Sequence, residues 1–155
     1  MTEEFEFKKV TFDHPDFNSL IAELDKEFWV RYPTTQQNFE PFNKVDSTCR
    51  TVLAYSNSTP VGCGCFRPKD GVAEIKRMYT VPAFRNKGIA KKVLKTLEDW
   101  AFLEGFQRTI LETGNNQPEA IAAYQKSGYQ RIPNFPPYVN VTESICMEKN
   151  LRPDM

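Results

Sequence analysis

The stretch from Ala73 to Leu94 carries the residue types best placed for chemistry. It reads Ala-Glu-Ile-Lys-Arg-Met-Tyr-Thr-Val-Pro-Ala-Phe-Arg-Asn-Lys-Gly-Ile-Ala-Lys-Lys-Val-Leu. An extended run ends at Pro82, a short basic loop follows, and Gly88 opens a helical pattern. The first amide N–H groups of a helix have no intrahelical partner, and with the helix dipole they form an anion site. Gly88 and Ala90 let a ligand approach the backbone, while Arg85, Lys87, Lys91 and Lys92 add positive charge around it. The arrangement suits a pyrophosphate. No Gly-x-x-x-x-Gly-Lys-Ser/Thr pattern occurs, which excludes a P-loop triphosphate site. Taken alone, these residues read equally as a solvated helix start with a basic face.

Other chemistry is thin. His14 is the single imidazole and there is no Cys-x-x-Cys pair, so the usual zinc spacings are missing. A Ser-His-Asp or Cys-His arrangement would have to use His14, which in Asp13-His14-Pro15-Asp16 reads as a surface or capping residue. Cys63 and Cys65 fall two apart on a predicted strand and so share a face. They read as small packing residues, with Gly62 and Gly64 marking close approach on the other face. Trp29 and Trp100 fall in helical patterns and read as packing residues too.

The elements that must position these residues follow from periodicity. Phe5, Phe7, Val10 and Phe12 suggest a first strand, irregular near Lys8-Lys9. Pro15 and Asp16 suit a helix start, after which Phe17, Leu20, Ile21, Leu24 and Phe28 form one apolar face. Strands are predicted over Arg50–Tyr55, Val61–Phe66 and Val72–Val81, joined at Asn57-Ser58-Thr59-Pro60 and Lys69-Asp70-Gly71. A periodic helix over Gly88–Glu104 leads to a strand at Thr109–Thr113, and a helix over Pro118–Lys126 stops at Ser127-Gly128. Tyr129–Ile132 and Ser144–Glu148 complete the strands, with the stiff Pro133–Tyr138 loop between them. Hairpins first and strand–helix–strand units later give an α+β fold with a mixed central sheet flanked by helices.

The chain has 155 residues, with 20 Lys+Arg against 20 Asp+Glu, 40% hydrophobic and 26% charged residues. These values fit one globular domain over residues 1–155 and argue against a general nucleic-acid binder. No apolar run reaches the roughly 18 residues of a membrane span. The acidic, alternating N-terminus does not read as a secretory leader, so a cytoplasmic protein with reduced cysteines is expected. The sequons at Asn57 and Asn140 then read as chance matches.

Two motifs together sharpen the reading. Arg85-Asn-Lys-Gly88-Ile-Ala90 matches Gln/Arg-x-x-Gly-x-Gly/Ala, and Ala120-x-x-x-Tyr124-x-x-x-Gly128-Tyr129 lies at the proper distance after it. The sequence thereby resembles the GNAT family of acyl-CoA-dependent N-acyltransferases. It is most similar to small bacterial-type members with Ala-Glu-Ile-Lys-Arg-Met-Tyr, Leu-Glu-Thr-Gly-x-x-Gln-Pro-Glu-Ala-Ile and a Phe-Gly-Pro-Tyr loop. That loop is here Phe135-Pro136-Pro137-Tyr138, with proline in the glycine's place.

The resemblance implies the fold of that family and acetyl-CoA as the acyl donor. The pantetheine arm would pair with backbone at Met78, Tyr79 and Thr80, and the pyrophosphate would rest on the amides of Asn86, Lys87, Gly88, Ile89, Ala90 and Lys91. Gln117 would take the place of a cofactor-contacting asparagine. A backbone N–H near Met78 would serve the oxyanion, Tyr124 would be the general acid, and Glu74 or Glu112 the base. Both glutamates also read as buried partners of Lys76, Arg77 or Arg108. Tyr32, Phe135 and Tyr138 would wall the acceptor site. The implied function is acetyl transfer to a primary amine of a small molecule, by a monomer or homodimer without nucleic-acid or membrane partners. A protein N-terminus or lysine as acceptor, and a non-catalytic acyl-CoA sensor, are the alternatives.

Overall fold

Two tight turns set the register of the first half of the sheet. Asn57 and Ser58 have φ of 49° and 68°, and Asp70 and Gly71 have φ of 50° and 83°. Two-residue turns with positive φ at both positions match the twist of the strands they join. The computed structural model of the chain describes residues 4–31 and 45–151. Its elements are β1 (Glu6–Val10), α1 (Pro15–Arg31), β2 (Arg50–Ser56), β3 (Thr59–Lys69), β4 (Val72–Thr80), a 3-10 turn (Pro82–Phe84), α2 (Ile89–Leu103), β5 (Arg108–Gly114), α3 (Pro118–Lys126), β6 (Gln130–Ile132) and β7 (Ser144–Asn150).

The strands form one seven-stranded sheet in the order β1-β2-β3-β4-β5-β7-β6. Only β4 and β5 run parallel; the other neighbours are antiparallel. The two faces bury separate cores. Phe17, Leu20 and Leu24 of α1 pack on Leu53, Cys63, Cys65 and Tyr79. On the other face Val93, Leu94, Leu97 and Ala101 of α2 pack on Val52, Phe66, Ile75 and Leu111. A Cβ at Gly62 would lie 2.8 Å from the Ile89 methyl, and one at Gly64 would strike the Met78 sulfur, so both glycines let α2 close on the sheet. Trp100 packs edge-on against Phe66 at 5.8 Å. Trp29 falls on α1, and its side chain lies outside the described residues.

The start of α1 is capped by His14, whose Nδ1 accepts the Asp16 N–H at 3.1 Å. The irregularity expected near Lys8-Lys9 is not found: β1 pairs with β2 residue for residue from Glu6↔Tyr55 to Val10↔Thr51. The sheet shifts register elsewhere. One shift sits between Ala54 and Tyr55, opposite Pro60, which has no N–H to give the ladder. The other lies between Cys63 and Cys65, where β4 carries an additional residue. Strand β4 ends at Thr80 rather than Val81, because Val81 turns into the 3-10 segment. Gly128, at φ 98°, closes α3, and Tyr129 N–H returns to Tyr124 O at 3.0 Å, so β6 starts one residue later than expected. Among the described residues no helix is long and apolar enough to cross a membrane.

Candidate active site

The centre of the sheet comes apart in one place. β4 and β5 pair only at Ala73↔Thr109, Glu74↔Ile110 and Ile75↔Leu111. Beyond these pairs β4 runs on to Thr80 and β5 to Gly114 with no ladder between them. The bulge in β4 lies at the same level. Arg77 there adopts φ 57°, a left-handed conformation that costs about 1 kcal/mol or more outside glycine. Two cysteines hold it. The Cys63 thiol donates to Arg77 O at 3.5 Å and the Cys65 thiol to Lys76 O at 3.4 Å. The result is a V-shaped opening whose β4 wall offers unpaired backbone from Lys76 to Thr80. An extended amide-bearing chain fits such a wall.

At the mouth of the opening the loop after the 3-10 turn delivers the start of α2. Gly88 caps the helix at φ 82°, and a Cβ there would meet open space, so its role is conformational. No acidic residue occupies the first turn, and no side chain caps the free amides. That leaves the amides open to an anion. Arg85 is already engaged: Nε donates to Thr80 O at 2.9 Å and Nη2 to Glu27 Oε2 at 2.8 Å, which ties the loop to β4 and α1. Lys92 lies over the Phe7 ring at 5.3 Å. The residues present fit an acyl-CoA: open amides for its phosphates, unpaired strand for its pantetheine. Ile89 is buried in the core and Tyr79 faces α1, so these two can offer a ligand backbone only.

A cavity of about 100 Å³ occupies the opening, lined among others by Glu74, Arg77, Glu112, Gln117, Tyr124 and Tyr138. Glu74 is 1% exposed. Arg67 Nε donates to its Oε1 at 3.1 Å and Lys76 Nζ lies 3.8 Å from its Oε2. Burial pushes the Lys76 ammonium below its ordinary range, partly offset by the Glu74 charge. Glu112 is held differently. Ser144 Oγ donates to its Oε2 at 2.7 Å, and burial pushes its carboxyl up to about 7. Tyr124, on α3, stacks edge-on against Tyr129 at 5.8 Å; burial first, then the Glu112 charge, raise its hydroxyl well above the ordinary value.

Of the residues singled out by sequence, Glu74, Met78, Glu112, Gln117, Tyr124 and Tyr138 line this cavity. Tyr138 reaches the cavity, while Phe135 stands behind it with ring centres 5.6 Å apart. Asn134 Nδ2 donates to the carbonyls of Tyr138, Val141 and Ser144, which fixes the loop, and the Pro136–Pro137 peptide is cis. Tyr32 lies outside the described residues. Of the partners considered for the glutamates, Lys76 is one. Arg77 instead pairs with Asp25 at 2.6 Å, and Arg108 with Glu148. Arg67 and Ser144 escaped the sequence reading. Arg67 was within reach of it, since a two-residue Asp70-Gly71 turn sets Lys69 opposite Val72 and therefore Arg67 opposite Glu74. Ser144 had no such local signal. Among the described residues no group of three or more His, Cys, Asp or Glu could hold a metal.

Comparison with known proteins agrees with this geometry. Residues 14–129 match the profile of the acetyltransferase (GNAT) family. An IAA acetyltransferase of Azospirillum brasilense is 34% identical over 137 residues, covering 85% of this chain and 88% of the relative. A Klebsiella pneumoniae structure described as an acyl-CoA N-acyltransferase superposes with a TM-score of 0.80 at 30% identity, over 96% of this chain and 98% of the other. The PaiA N-acetyltransferase of Thermoplasma acidophilum, solved in complex with coenzyme A, shares the fold with a TM-score of 0.69 at 19% identity, over 95% and 99% of the two chains. The chain belongs to the GNAT family and is an acetyltransferase of that fold.

Proposed function

We propose that this protein transfers the acetyl group of acetyl-CoA to the primary amine of a small molecule, with Glu112 as base and Tyr124 as acid. The observation that carries the reading is their meeting in one cavity at the parting of β4 and β5. Acetyl-CoA supplies the acetyl group as a thioester, which an unprotonated amine attacks directly. Backbone N–H groups of β4 near Met78, free of any β5 partner, are the donors available to the thioester oxygen. The open amides from Asn86 to Lys91, with Gln117, would hold the cofactor's polar groups.

Two facts favour Glu112 over Glu74. Glu74 is already neutralised by Arg67 and Lys76. Glu112 titrates at about 7, where a base both takes a proton readily and is charged often enough to act. Its Oε2 accepts from Ser144, which leaves Oε1 to take the proton that the acceptor nitrogen sheds. Tyr124 keeps its proton at any working pH and gives it to the departing sulfur. Glu112 and Tyr124 line the same cavity, so the proton that Glu112 takes from the amine would return to the phenolate, through water or the released product, and close the cycle.

Calorimetry with acetyl-CoA, followed by a screen of amines for thiol release, tests the reading. One cofactor bound per chain and release of free thiol with an amine is the expected result. Binding without release for any amine would favour a sensor, and no binding at millimolar cofactor would overturn the assignment of the loop.

A further inference from the structure

Arg77 is more deeply committed to the site than its pairing explains. Its side chain is 3% exposed, yet its partner Asp25 is 44% exposed and takes only Nη2. Nε and Nη1 are buried without a hydrogen-bond partner. A guanidinium offers donors in pairs, Nε with Nη2 along one edge and Nη1 with Nη2 along the other. Whichever Nη2 hydrogen Asp25 takes, the second one completes a two-donor fork with Nε or with Nη1. Leaving a charged donor buried and unpaired is costly, and each such group in a folded chain calls for a partner. Arg77 is among the residues lining the cavity, with Lys76 and Met78, and sits at the left-handed bulge of β4.

We propose that the acceptor amine also carries a carboxylate, and that Arg77 binds that carboxylate through its open fork. This rests on the N-acetyltransferase reading above. A planar two-oxygen anion matches the fork as a point charge does not. The charges already present agree. Glu74 is balanced by Arg67 and Lys76, and Asp25 faces Arg77 from α1, so Arg77 is the cavity cation with donors still to satisfy. Nε and Nη1 are buried, so the acceptor's carboxylate would have to uncover the fork as it binds. The acceptors that fit are amino acids and similar short amino-carboxylates.

The test compares matched amines in acetyl transfer: phenylalanine with phenethylamine, methionine with 3-(methylthio)propylamine, and β-alanine with ethylamine. The carboxylated member of at least one pair should show a kcat/KM about 10- to 100-fold higher, the share expected of a charged hydrogen-bonded pair. Arg77→Gln should erase that preference by lowering the carboxylated member far more than its matched amine, mainly through KM. Arg77→Lys, which keeps the charge and loses the fork, should fall between. Both variants should bind acetyl-CoA as the parent does, which separates a lost contact from a lost fold. Equal turnover of both members of every pair would overturn the carboxylate proposal and leave the acetyltransferase reading intact. A preference that survives Arg77→Gln would overturn the role of Arg77. Failure to acetylate any amine despite cofactor binding would overturn both.

Discussion

The two ends of the opening between β4 and β5 are built on different principles. The mouth is made of backbone: Gly88 at φ 82°, an uncapped helix start and a strand without a neighbour. Among its side chains, Arg85 is turned inward to Thr80 and Glu27. The inner end is made of side chains from separate elements: Arg67 from β3, Glu74, Lys76 and Arg77 from β4, Glu112 from β5, Tyr124 from α3 and Ser144 from β7. Backbone recognition suits a ligand whose polar groups stay the same whatever the acceptor. A side-chain cluster, buried and electrostatically coupled, can be retuned one residue at a time for a particular acceptor. Under the proposed function, the chemical split between cofactor and acceptor would coincide with a physical one between main chain and side chain.

Substitutions at the inner end should therefore change turnover and spare cofactor binding, and those at the mouth should do the reverse. The largest effect is expected from Tyr124→Phe, a loss of kcat on the order of 100- to 1,000-fold, with acetyl-CoA affinity measured by calorimetry within about twofold of the parent. Unchanged turnover would remove Tyr124 from the role of acid. Glu112→Gln comes next, with about a 100-fold loss at pH 8. The loss should shrink as pH falls below 7, because the parent's own carboxyl, at about 7, is then protonated and no better a base than the amide. A pH–rate profile reads this directly, as an acid limb with a midpoint near 7 in the parent and none in the variant. A loss equal at pH 6 and pH 8 would point to a role other than base. At the mouth, Gly88→Asp should weaken acetyl-CoA binding by about 10-fold, placing a carboxylate against the helix N-terminus in competition with phosphate and forcing a side chain into positive φ. Undiminished affinity would break the assignment of the loop.

The same split governs what could be read from the sequence. Backbone devices leave local marks. Gly88 after a basic loop, Pro118 at a helix start and the Asp70-Gly71 turn each betray a conformation within a few residues, and the structure has them where expected. The β4 bulge does not announce itself, because a left-handed arginine has no sequence signature and is sustained by thiols across the ladder. Side-chain clusters depend on topology. That Ser144 meets Glu112 follows from β7 pairing beside β5 in the register Gly114↔Ser144, a contact between residues 32 apart. The roles of Glu74 and Glu112, alike from their places on strands, separate only once Arg67 and Lys76 are seen against one and Ser144 against the other.

The smallest predicted effect sharpens the comparison without any substrate. Glu112 titrates at about 7 in the folded protein against an ordinary value of 4.5, raised chiefly by burial. A carboxyl whose folded value lies above its unfolded one favours folding when protonated. That contribution is whole below pH 4.5 and is lost as pH climbs through 7. Above pH 7 the folded chain must keep a charge in a buried place, and there Glu112→Gln removes a cost. The amide that replaces the carboxyl cannot titrate, and its oxygen still accepts from Ser144, so the variant should melt higher than the parent at pH 8, by on the order of a few degrees. The gain should fade toward pH 5, where both side chains are neutral. The pair of effects is the informative part: one substitution lowers turnover and raises stability, both only where the carboxyl is charged. A melting difference that stays constant from pH 5 to pH 8 would mean that Glu112 keeps an ordinary titration, and the inner end would lose its claim to a base poised by burial.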